Sequence, residues 1–160
     1  MTTTPSDEAR TIPVARSPWM PPRLFLLYGV VGAALHFALP APVVLRLPWL
    51  GAAVAAAGAA LALWGERTFA WAGATIKPFE RSHVLVTHGP FRFTRNPMYL
   101  SLVTMLVGVA LVLGTPAPWL AAVALAVTLQ LHFIRNEERA LAASLGEPYA
   151  EYRRRVRRWI

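Results

Sequence analysis

The sequence predicts an all-α polytopic membrane protein, with about four transmembrane helices followed by an amphipathic cytoplasmic helix near the end of the chain. Three observations carry that expectation. Hydrophobic residues make up 56% of the 160, and they lie in blocks of roughly 16 to 26, longer than ordinary core helices need. Proline stands at or near the start of the later blocks, in the first helical turn where its missing N–H costs nothing. Arginine and lysine gather almost wholly at alternate ends of the blocks.

The first 23 residues are polar and contain Pro, with Arg10, Arg16 and Arg23 ahead of the first apolar stretch. A cleaved leader needs basic, apolar and small-residue parts in that order, and Phe37 to Pro42 fit the last part only weakly. The stretch is therefore read as a retained helix from about Leu24 to Leu39, stopped by Pro40 and Pro42. A second span runs from near Pro48 to about Trp71, with Glu66 and Arg67 in its last turns. Gly51, Ala55 and Ala59 recur on it every four residues, a small-residue face that allows close helix approach. The third span starts at Pro97 and ends near Gly114; the fourth runs from near Pro116 to about Ile134. Gly114-Thr-Pro-Ala-Pro118 is a tight turn that makes the last two an antiparallel hairpin. At 1.5 Å per residue the shorter spans reach about 25 Å, slightly thin for an average bilayer.

The length fits a single domain. The net charge of +8 lies beside hydrophobic segments, so anionic membrane lipids are the expected partner and nucleic acid is not. No cysteine is present, which excludes disulfides and thiolate chemistry, and no metal site is expected. The N-terminal segment carries three basic residues, the 66–96 region carries Arg67, Lys77, Arg81, Arg92 and Arg95, and the C-terminal segment seven arginines; the two opposite loops hold Arg46 alone. That asymmetry puts both termini and the long loop on the cytoplasmic side, in a membrane of the bacterial inner type. Glu147 to Ile160 reads as a short helix on the membrane surface, its arginines on anionic lipid and Tyr149, Tyr152, Trp159 and Ile160 at the interface.

Two polar islands then fall on one face. The first is His83-Val-Leu-Val-Thr-His-Gly-Pro-Phe-Arg-Phe-Thr-Arg-Asn-Pro-Met-Tyr99. Its end is a helix start, with Asn96 as N-cap and Pro97 at the first helical position; such a start favours an anionic group. Gly89-Pro90 gives a turn through which backbone approaches a ligand closely. The second island is Arg135-Asn-Glu-Glu-Arg139. Helical spacing places His132, Arg135 and Arg139 on one side, with Glu137 and Glu138 facing elsewhere. Taken singly, each island also reads as an ordinary helix end, well capped in one case and solvated with charge pairs in the other. Together they read as a polar-ligand pocket under a hydrophobic roof.

These segments, with Leu145-Gly-Glu-Pro-Tyr-Ala-Glu-Tyr-Arg-Arg-Arg-Val156, resemble the isoprenylcysteine carboxyl methyltransferase and phospholipid methyltransferase superfamily over roughly residues 80 to 158. The resemblance implies an integral-membrane enzyme that uses S-adenosylmethionine at the cytoplasmic face without a soluble nucleotide-binding fold. It implies cofactor contacts from His83, Val84, Leu85 and Val86, from Gly89 and Phe91, from Arg95, Asn96, Pro97 and Tyr99, and from Glu137 and Glu138. Arg135 and Arg139 are expected to orient an anionic substrate head, and His132 is the candidate general base. Phe91 and Tyr99 are expected to pack against adenine or sulfonium. The substrate is expected to be amphipathic: a phospholipid amine, an isoprenoid-linked acid or thiol, or a small hydrophobic thiol. Three positions depart from the family pattern: Asn96 replaces the usual His and cannot titrate, Phe91 replaces Tyr, and Phe133 stands where prenylcysteine methyltransferases place a substrate-facing Arg. Four spans are expected where some relatives have more. Two other readings stay open: a nicotinamide-dependent membrane reductase of the sterol type, and a non-enzymatic small membrane scaffold.

Overall fold

Proline opens each of the four apolar helices of the computed structural model, which describes residues 20–72 and 85–160. The helices are α1 (Pro21–Ala38), α2 (Pro48–Trp71), α3 (Pro97–Leu113) and α4 (Pro116–Thr128). From α4 the chain passes through a π-helical turn, Leu129–Ile134, into α5 (Arg135–Leu145), then bends at Gly146 into α6 (Glu147–Arg155). The predicted spans are thus met to within a few residues. α1, α2 and the continuous Pro116–Leu145 run are each long and apolar enough to cross a membrane, while α3 is a shorter apolar helix. The apolar part of the last run ends at Ile134, so α5 with its four charged residues continues out of the hydrocarbon.

α3 is the helix that α1, α2 and α4 all touch. Its seam with α2 is made by glycine. Gly51, Gly58 and Gly65 are buried at seven-residue spacing; a Cβ on Gly51 would lie 2.6 Å from the carbonyl oxygen of Gly108, and one on Gly58 would lie 2.9 Å from that of Ser101. Backbones therefore meet nearly atom to atom, and only glycine permits it. Of the expected Gly51–Ala55–Ala59 face, Gly51 and Ala55 lie against Gly108 of α3, whereas Ala59 is exposed and Gly58 takes its place. A repeat of seven follows a crossing helix longer than a repeat of four does, which drifts round the cylinder.

α1 closes the other side. Gly32 abuts Ala121 and Pro118, the Tyr28 and Thr128 hydroxyls share a hydrogen bond of 2.9 Å, and His36 Nδ1 lies 2.7 Å from the Thr115 hydroxyl. The core joins Leu24, Tyr99, Leu106, Leu125, Leu129, Phe133 and Ile134. On the far face, the Val44 and Leu47 amides donate to the carbonyls of Gly114 and Leu111, tying the first loop to the tight turn. Trp49 and Trp71 are 90% and 86% exposed at the two ends of α2. They stand about 33 Å apart along the helix, the separation of the two bilayer interfaces that tryptophan favours.

Candidate functional site

The two polar islands meet at the end of the helices opposite that turn. Tyr99, in the first turn of α3, donates its hydroxyl to Glu137 Oε1 at 2.6 Å. Burial raises the Glu137 carboxyl above its ordinary range, with the Tyr99 hydrogen bond working the other way. The second oxygen of Glu137 carries no hydrogen bond among the described residues. Glu138, one residue on, faces differently. Its carboxylate takes Arg95 Nη2 at 2.7 Å, and Arg158 in a fork, Nε at 3.0 Å and Nη2 at 2.6 Å. Such charge-assisted forks are the strong kind.

Gly89 starts the loop that supplies Arg95. Its φ is +60°, a left-handed conformation that L side chains rarely hold, and a Cβ there would lie 2.7 Å from the Thr68 hydroxyl of α2. Residues Gly89–Arg92 then make one 3₁₀ turn that buries Phe91, whose ring packs edge-on against Phe69 at 4.9 Å. Phe93 points out, 64% exposed, under the Arg92 guanidinium at 5.5 Å.

The segment after α6 crosses this loop as a strap. The Arg95 amide donates to the Arg157 carbonyl at 2.9 Å. The Arg158 carbonyl accepts from Thr94 Oγ1 at 3.1 Å and from Asn96 Nδ2 at 2.9 Å. Arg95 Nη1 reaches the Arg153 carbonyl at 3.2 Å, the Tyr152 hydroxyl donates to the Phe91 carbonyl at 2.7 Å, and Trp159 Nε1 donates to Gln130 Oε1 at 2.8 Å. Burial pushes the Tyr149 hydroxyl up to about 12, helped by the Glu138 charge, and raises Tyr152 as well.

Several sequence expectations change at this point. Asn96 is the N-cap by position, but its side chain makes no capping bond; its amide is used on the strap. Tyr149 and Tyr152 are 2% and 5% exposed, so they hold α6 to the protein and not to the membrane surface. His132 is exposed and is absent from the hollow that Arg135 and Arg139 share with Glu138. The π-helical turn explains this, because its wider turn rotates everything after it relative to an unbroken α-helix. Leu85 is half-buried and Val86 buried; His83 and Val84 lie outside the described residues. Pro97 is buried at the start of α3. Thr94, Gln130, Arg153 and Arg158 join the site without a signal in the sequence, and Tyr152 and Trp159, expected at the membrane interface, join it too. Nothing local marks the first four out: Arg158 is one arginine in a run of similar ones.

Apolar helices that end in a shared polar cluster define a small integral-membrane protein. A profile of the phospholipid methyltransferase family matches residues 46–147. The match covers more than half of the chain, from just before α2 to the start of α6, and the chain belongs to that family of membrane methyltransferases. An uncharacterised protein of Haemophilus influenzae is 35% identical over 63 residues, which is 39% of this chain and all of that protein. No solved structure matches the chain.

Proposed function

We propose that this protein transfers a methyl group from S-adenosylmethionine to the amine head of a phospholipid, at the cytoplasmic face of the membrane. The observation that carries this reading is the Tyr99–Glu137 hydrogen bond, which joins the two islands where the apolar core gives way to charge. Two groups fit a zwitterionic, hydroxyl-bearing cofactor. The second oxygen of Glu137 is an acceptor suited to ribose hydroxyls or an ammonium group. Arg95 Nε is buried with no hydrogen-bond partner among the described residues, a donor suited to a carboxylate.

Bound there, S-adenosylmethionine would supply an electrophilic methyl on a sulfonium. The chain's own part is positioning and exclusion of water, which is most of what an in-line displacement requires. Tyr99 fixes the Glu137 carboxylate, Phe91 supplies an apolar wall, and Arg158 with Asn96 keeps the strap across the loop. His132 takes no part in this scheme. The position of charge supports the cytoplasmic face.

Detergent-purified protein incubated with radiolabelled S-adenosylmethionine and native lipid extract should put label into the organic phase. Label that stays wholly in water would end the proposal. Calorimetry with S-adenosylhomocysteine should show binding to the wild type and at least about tenfold weaker binding to Glu137→Ala; unchanged binding would remove Glu137 from the site.

A further inference from the structure

Arg135, Glu138, Arg139 and Ala142 of α5, with Arg153 of α6 and Arg158 of the strap, line an open hollow of about 220 Å³. Glu138 is the one carboxylate on its wall, and both its oxygens are taken by Arg95 and Arg158. Arg135, Arg139 and Arg153 carry no ion pair among the described residues. Four guanidiniums thus face one spoken-for carboxylate, on elements that the strap holds in place. Like charges so gathered repel, and an anion between them is favourable.

A second feature leads to the same place. Along α4 and the π-helical turn, Leu120, Val123, Val127 and Leu131 are 68%, 60%, 50% and 46% exposed. Their spacing of three to four residues makes one apolar stripe, and Arg135 and Arg139, both exposed, follow it just beyond the π-helical turn. The stripe lies on the apolar part of the Pro116–Leu145 run and ends where the charged α5 begins. The hollow, at about 220 Å³ and open on one side, has room for a phosphate headgroup.

We propose that this hollow binds the phosphate of an anionic phospholipid whose acyl chains lie along the Leu120–Leu131 stripe. Arginine forks match phosphate oxygens, and the surface charge of the cytoplasmic leaflet concentrates such lipids there. Because Arg135 and Arg139 belong to α5 while Arg153 belongs to α6 and Arg158 to the strap, a bound phosphate also ties these three elements together. This site lies on a different face of α5 from Glu137, and it stands whether or not the methyl-transfer reading holds.

The test is thermal unfolding of the detergent-purified full chain with dioctanoyl phosphatidylglycerol, dioctanoyl phosphatidylcholine or inorganic phosphate added. Phosphatidylglycerol should raise the midpoint saturably in the wild type. Arg139→Gln and the double variant Arg135→Gln/Arg139→Gln should need about tenfold more lipid for the same rise. Arg155→Gln, which removes an equal charge outside the hollow, should respond as wild type does. Arg135 and Arg139 are exposed, so the unliganded midpoints serve as the folding control. An equal rise with phosphatidylcholine, an equal loss in Arg155→Gln, or no loss in the double variant would overturn the proposal. An equal rise with inorganic phosphate alone would overturn the lipid as occupant in favour of the free ion.

Discussion

Neighbouring carboxylates at positions 137 and 138 have opposite duties because they leave the helix about 100° apart. Glu137 turns to a phenol and Glu138, itself buried, to two guanidiniums. Tyr99→Phe removes the one hydrogen bond that Glu137 makes among the described residues. A carboxylate left without it should cost about 1–3 kcal/mol, seen as a midpoint lowered by several degrees together with weaker S-adenosylhomocysteine binding. For Glu138, burial by itself would raise the carboxyl, but the Arg158 hydrogen bond and the charges of Arg95 and Arg158 outweigh it, and the group is held below the ordinary carboxylate range. A depressed folded pKa stabilises above the unfolded value, about 4.3, and that contribution is lost as pH falls through the folded value. The wild type should therefore unfold at higher temperature than Glu138→Gln at neutral pH, with the two midpoints converging below about pH 4. Parallel curves across that range would contradict the assignment.

At the scale of elements, the α2–α3 seam is the least forgiving part of the molecule. Gly58→Leu would drive a side chain into the Ser101 carbonyl and Met105, and overpacking of this kind costs about 1–3 kcal/mol or more. The expected outcome is a sharp loss of monodisperse protein after detergent extraction, whereas Ala59→Leu, on an exposed position, should behave as wild type. The π-helical turn matters for a different reason. It resets the register between the span and α5, which is why Phe133 and Ile134 are buried while His132 and Arg135 are exposed. The His132–Arg135–Arg139 face assumes an unbroken α-helix; no composition rule announces a π turn.

For the whole molecule, the testable property is orientation. The chain lacks cysteine, so single-cysteine labelling is clean. Ala41→Cys lies on the loop beside the tight turn and Arg155→Cys beside the site, and both positions are exposed. In intact cells a membrane-impermeant maleimide should label Ala41→Cys and spare Arg155→Cys, with the reverse pattern in inverted vesicles. Labelling of both from outside would contradict the cytoplasmic placement of the site.

Much of this architecture was legible in the sequence. Apolar block lengths fixed the spans, proline marked the starts of the last three while the first opens at Pro21 and not at Leu24, and the lopsided arginine count put Asn96 and Glu137 at one end of the bundle. These are local or additive properties, which a chain carries whatever its helices do. The structure alone decided that Glu137 meets Tyr99 while Glu138 meets Arg95 and Arg158, that glycines seven apart make the seam, and that Tyr149 and Tyr152 turn into the protein. Each of those depends on where helices cross and on a strap that brings residue 158 against residue 94. Periodicity specifies which side chains share a face; the partner of that face is set by packing between segments far apart in the chain, and there the tertiary fold has the deciding part.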